Sequence, residues 1–72
     1  MMQKLNKWIA DTFPHLGKIE LVKGNGYFYF CADDWRLDIQ SIGVCHLNHG
    51  TIYQWKTWMA DEINDAVKDA NL

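Results

Sequence analysis

The segment Gly24-Asn25-Gly26, followed at once by Tyr27-Phe28-Tyr29-Phe30, constrains this chain more than any other part of it. Two glycines around an asparagine give the backbone the freedom for a tight reversal, and the aromatic run after them favours extended backbone. Upstream, Ile19 and Leu21 alternate with Lys18 and Glu20, so residues 18–23 and 27–31 form the two arms of an expected hairpin. Successive strand side chains point to opposite faces. Phe28 and Phe30 therefore share the expected core face. Tyr27, Tyr29 and Cys31 lie with Glu20 and Val22 on the face turned away from it.

A lone hairpin is not stable in water and needs further elements to cover its apolar face. The first comes from Met2, Leu5, Ile9 and Phe13, which recur every three or four residues, with Trp8 beside them, as in an amphipathic helix. Pro14 and Gly17 should end it near Phe13. The second is a helix from Thr51, where Thr51 and Gln54 have capping-box spacing. Its apolar stripe runs through Trp55, Trp58, Met59, Ile63, Ala66, Val67 and Ala70, with no glycine or proline to interrupt it. Between hairpin and helix, Ala32-Asp33-Asp34 reads as a turn and Ser41 to Leu47 as a third main strand. Trp35 to Ile39 is either a short fourth strand or a loop pinned by Trp35. The expected fold is α+β: an N-terminal helix, an antiparallel sheet of three strands, or four if that segment pairs, and a C-terminal helix. Both helices should cover one sheet face.

A chain of 72 residues supports one modest core, so one domain over residues 1–72 is expected. Four tryptophans, Trp8, Trp35, Trp55 and Trp58, help to fill it. Seven basic residues against nine acidic, with a net charge of −2, give no general attraction to a phosphate backbone, and direct nucleic-acid binding is not expected. The first residues lack the apolar run of a secretory signal and no stretch is long and apolar enough for a membrane span, so the default expectation is a cytoplasmic protein without a membrane partner. In that setting Cys31 and Cys45 are expected as free, partly buried thiols.

The residues Gly26-Tyr27-Phe28-Tyr29-Phe30, Trp35, Ser41-Ile42-Gly43-Val44, Leu47-Asn48 and Thr51-Ile52-Tyr53-Gln54-Trp55 resemble a pattern in small uncharacterised proteins of phages and mobile elements. The resemblance spans about Ile19 to Trp58. Gly43 stands where that pattern usually has an aromatic, and His49-Gly50 replaces more helix-friendly residues. No activity comes with the resemblance. It implies a genomic setting in which short acidic proteins often bind and block host machinery, CRISPR effectors among them.

Among the chemically capable residues, Cys31, Cys45, His46 and His49 are zinc-ligand types, and a structural metal would benefit so small a domain. Their spacing matches no paired knuckle, and Cys45 and His46, being adjacent, would point to opposite faces of a strand. No metal or other cofactor is expected, and a zinc-stabilised or structural domain is the alternative reading. A nucleophile assembled from Cys45, His49 and Asp38 lacks any supporting local motif, so no enzyme is expected. Gly24-Asn25-Gly26 joins two strands instead of opening a helix, which makes it a turn and not a phosphate cradle. Three features point outward. Tyr27 and Tyr29 form an aromatic patch on the open sheet face. Asp61, Glu62, Asp65 and Asp69 place negative charge along the later half of the second helix, where like-charge spacing and the helix dipole both oppose it. Trp58, next to Met59, cannot be buried as fully as its neighbour and is available to a partner or a second copy. The expected function is a protein-binding module, monomeric or homodimeric, that contacts the basic surface of a host protein.

Overall fold

A computed structural model of the chain describes residues 1–37 and 41–71. Helix α1 spans Met2–Thr12, strand β1 Ile19–Lys23, β2 Phe28–Ala32, β3 Ser41–Ile42, and helix α2 Ile52–Asp69. Short 3-10 turns at Pro14–Leu16 and Leu47–His49 join them. The three strands form one antiparallel sheet in the order β1-β2-β3.

The ends of the helices follow from local chemistry. The Phe13 N–H donates to the Ile9 carbonyl at 2.9 Å and closes α1. Pro14, which has no N–H to offer, then opens the 3-10 turn, and Gly17 leaves it at a φ of +80°. At α2 the capping box is complete. The Gln54 N–H donates to Thr51 Oγ1 at 3.2 Å and the Thr51 N–H to Gln54 Oε1 at 2.8 Å.

The hairpin register, with Leu21 opposite Phe30 and Val22 opposite Tyr29, puts the faces where alternation requires. Ile19, Leu21, Phe28, Phe30 and Ile42 are buried in the same core as Leu5 and Ile9 of α1 and Trp55, Met59, Ile63 and Ala66 of α2. The Phe28 and Trp55 rings meet edge to face, 4.8 Å apart, and the Trp55 Nε1–H donates to the Leu47 carbonyl at 2.8 Å. Lys56 lies 5.9 Å from the Trp8 ring centroid and adds a cation–π contact between the helices.

Asn6 stands in mid-helix, where its type is a weak helix former. Its side chain reaches the free edge of β1, accepting from the Leu21 N–H at 2.6 Å and donating to the Leu21 carbonyl at 3.3 Å. An open strand edge invites pairing with another chain, and this amide blocks it at the middle of β1.

Three expectations are corrected. The third strand is two residues long instead of running from Ser41 to Leu47, because Val44 N–H turns back to the Ile42 carbonyl at 2.9 Å and the chain leaves the sheet. Trp35 does not pin the connection, being 79% exposed; Leu37, at 2%, enters the core in its place. Of the possible fourth strand, Trp35 to Leu37 is a turn, and Asp38 and Ile39 lie outside the described residues. The turn is held by Asp34, which accepts from the Arg36 backbone N–H at 3.0 Å and from Nε and Nη2 at 2.9 and 2.7 Å. Finally, both cysteines are exposed thiols. Cys31 pairs across from Glu20 on the outer face, and Cys45 falls beyond the shortened strand. Among the described residues no helix is long and apolar enough to cross a membrane.

Two predictions follow from these contacts. Asn6→Ala leaves both Leu21 backbone groups without their partner and should lower stability by about 1–3 kcal/mol. Urea denaturation measures the loss, and light scattering should detect concentration-dependent association through the opened edge. The Arg36 side-chain hydrogen bonds, and then its backbone N–H, hold the Asp34 carboxyl below its ordinary value. A depressed folded-state pKa stabilises above the unfolded-state value, and that contribution disappears as pH falls through the folded-state value. NMR titration should place the Asp34 midpoint below that of an ordinary aspartate and show it rising in Arg36→Gln.

Candidate functional site: a cleft between β3 and the acidic helix

The side chains of α2 divide by helical geometry into two faces. Trp55, Met59, Ile63 and Ala66 face the core, and Asp61, Asp65 and Asp69, four residues apart, form an exposed row on the other side with Glu62 half-buried beside it. Among the described residues, none of these four carboxylates has a hydrogen bond or ion pair to a cation. Lys7 pairs with Asp11 and Arg36 with Asp34, and Lys56 is turned to Trp8. Lys68, in the last turn, relieves the unfavourable charge on α2 only in part, since among the described residues it forms no ion pair with these carboxylates.

One turn of this helix borders a recess. An open cleft of about 280 Å³ is lined by Ser41 to Val44 on one side and by Trp58, Asp61 and Glu62 on the other. Its volume falls just under the roughly 300–1,000 Å³ of pockets that enclose small-molecule ligands. The cleft brings together three of the residues expected from the sequence to meet a partner, Trp58, Asp61 and Glu62. Asp65 and Asp69 continue the acidic row along the helix beyond the cleft lining.

Trp58 is held in place as part of the cleft wall. Its ring meets Trp55 edge to face, 5.3 Å between centroids, and its far edge lies against Gly50, where an added Cβ would come within 2.7 Å of Cη2 and Cζ3. Gly50 has a φ of −143°, extended backbone open to any residue, so only the ring demands glycine there. The sequence marks Gly50 only as a break before the second helix, not as the seat of the Trp58 ring. The available signal was a glycine immediately before an N-cap threonine, just over two helical turns upstream of a tryptophan that the core takes in only in part.

Tyr27 and Tyr29 form a separate patch on the outer sheet face. Their rings lie 5.9 Å apart, and Tyr27 folds across Gly24, where an added Cβ would come within 2.8 Å of the ring's Cζ. Tyr27 is exposed and Tyr29 half-buried, next to Val22 and opposite Ser41. Two further aromatics, Trp35 and Tyr53, are more than three-quarters exposed, and the sequence pattern singled out neither as a surface group.

The zinc-ligand types do not converge. His46 precedes the 3-10 turn and His49 ends it, with their rings 4.9 Å apart, but among the described residues no three His, Cys, Asp or Glu side chains gather around a common point. Cys31 lies on the outer sheet face in a shallow recess of about 160 Å³ with Lys18, Glu20 and Asp33. Of the imagined nucleophilic grouping of Cys45, His49 and Asp38, the last lies outside the described residues.

The fit of Trp58 on Gly50 generates a prediction. Gly50→Ala should force the ring off its seat and cost about 1–3 kcal/mol through overpacking, while the same change in a Trp58→Ala background should cost far less. Urea denaturation of the four proteins in that cycle measures the coupling, and the shift in tryptophan emission reports displacement of the ring.

Compared with known proteins, the chain matches no protein-family model, no curated protein and no solved structure.

Proposed function

We propose that this chain is a non-enzymatic protein-binding module whose α2 surface docks on a basic patch of a partner protein. The observation that carries this reading is the set of carboxylates Asp61, Glu62, Asp65 and Asp69, none of which is ion-paired among the described residues although helix energetics disfavour their placement and Lys68 alone adds positive charge in the last turn. Complementary charge across an interface favours rapid and selective encounter with an oppositely charged partner. Trp58 in the adjoining cleft supplies an aromatic anchor of the kind enriched where binding energy concentrates, and Tyr27 and Tyr29 offer a second aromatic contact on the outer sheet face.

The partner under this proposal is a host protein engaged by a phage or mobile-element product. The resemblance of the Tyr27–Phe30 strand and the Thr51–Trp55 helix start to such products supports that setting. A defence or nucleic-acid-handling protein, an anti-CRISPR target among them, has the basic surface the acidic helix would meet. Binding would act by occupancy, covering a surface that the host protein needs for its own ligand.

The test is capture of partners by the tagged protein from a bacterial lysate, beside a variant carrying Asp61→Lys, Asp65→Lys and Asp69→Lys. One stoichiometric partner should be retained at low salt, weakened at moderate salt, and lost from the variant, which should unfold at a similar urea concentration. Retention of the same partner with undiminished affinity by the charge-reversed protein removes the acidic helix from the interface.

A further inference from the structure

We infer that the cleft between β3 and α2 binds an extended peptide segment of the partner, which adds a strand to the open edge of β3 and places a lysine or arginine against Trp58, Asp61 and Glu62. The inference rests on the protein-binding reading above and names the form the partner takes at this site.

The backbone comes first. The hairpin bonds from Gly24 N–H to the Tyr27 carbonyl, 2.8 Å, and from Asp33 N–H to the Lys18 carbonyl, 3.0 Å, set the bonded pairs at every second residue. Tyr29 therefore uses its N–H and carbonyl on Val22. Ser41, which lies opposite Tyr29 in β3, must turn its own N–H and carbonyl away from β2, toward the open side of the sheet. The two sheet edges differ in this respect. Asn6 covers the Leu21 backbone groups at the β1 edge. At the β3 edge Ser41 is exposed, and a Cβ built on neighbouring Gly43 meets nothing within 4 Å. Among the described residues nothing covers this edge against an incoming strand, and exposed sheet edges are a recurrent docking mode for extended peptides.

The side chains then choose the peptide. A strand paired to β3 turns every second side chain toward the helix side of the sheet. Trp58, Asp61 and Glu62 line the same cleft on that side. Neither a lysine nor an arginine of this chain lines it, so its charge is uncompensated. A tryptophan ring beside two carboxylates suits a long cationic side chain, which gains both the ring contact and charge-assisted hydrogen bonds. Asp65 and Asp69, outside the cleft lining, would contribute only long-range attraction.

The probe is a displayed library of random dodecapeptides selected against the folded protein. Enriched peptides should share one lysine or arginine flanked by β-forming residues, and the synthetic peptide should shift the amide NMR signals of Ser41–Val44 and Trp58–Glu62. Asp61→Asn with Glu62→Gln should weaken it about ten-fold or more, and Asp65→Asn with Asp69→Asn about two-fold or less. Because protein variants can disturb the cleft, N-methylation of alternate peptide amides gives an independent reading. One of the two methylation patterns should abolish binding and the other spare it. Peptides without a basic residue, shifts centred on Tyr27 and Tyr29, or indifference to N-methylation would overturn the inference. If no peptide binds while the salt-sensitive complex forms and depends on α2 charge, strand addition fails and the protein-binding reading stands. If that complex also ignores the α2 charges, both fail.

Discussion

The burial of Trp55 with its single polar atom satisfied is the contact on which the rest of this small fold depends. The side chain has no solvent exposure, its Nε1–H is bonded to the Leu47 carbonyl, and its ring meets Phe28 on the sheet and Trp58 on its own helix. A buried indole N–H without a partner would be costly, and the 3-10 turn at Leu47–His49 presents the carbonyl that avoids this. One residue thus ties α2 to β2 and to the segment between sheet and helix. It also sets where Trp58 emerges.

The position of Trp58 explains how the core creates the surface site. Trp55 and Met59 fill the interior, and Trp58, one residue from Met59, is pushed to the rim, where Gly50 makes space for its ring. The next residues out along the helix are Asp61 and Glu62. The cleft is therefore a by-product of packing a wide ring under a sheet whose last strand is only two residues long. A longer β3 would have run alongside α2 where the chain now turns away at Val44.

The two sheet edges are treated differently, and the contrast bears on function. On β1, a helix residue of poor helical propensity is retained in mid-helix and occupies the strand's free backbone groups. On β3 no such cover stands over Ser41 among the described residues. Under the proposed strand addition, the edge beside the acidic, tryptophan-walled recess is the one a peptide would use, and the Asn6-covered edge is closed to it.

Much of the architecture was legible in the residues themselves. Period-two alternation from Ile19 to Cys31 assigned both faces of the hairpin, the Thr51–Gln54 spacing marked the start of α2, and Pro14 marked the end of α1. Each of these signals acts over a few residues, through backbone sterics or local hydrogen bonds, so the sequence alone determined them. The extent of β3, the choice of Leu37 over Trp35 for the core and the exposure of both cysteines depend on which distant surfaces meet. The same holds for Asn6 on Leu21, fifteen residues away, and for Gly50 under Trp58. The acidic row was visible from its spacing, but its junction with Trp58 and the β3 edge was decided by tertiary packing, because a cleft belongs to two elements at once and neither encodes it alone.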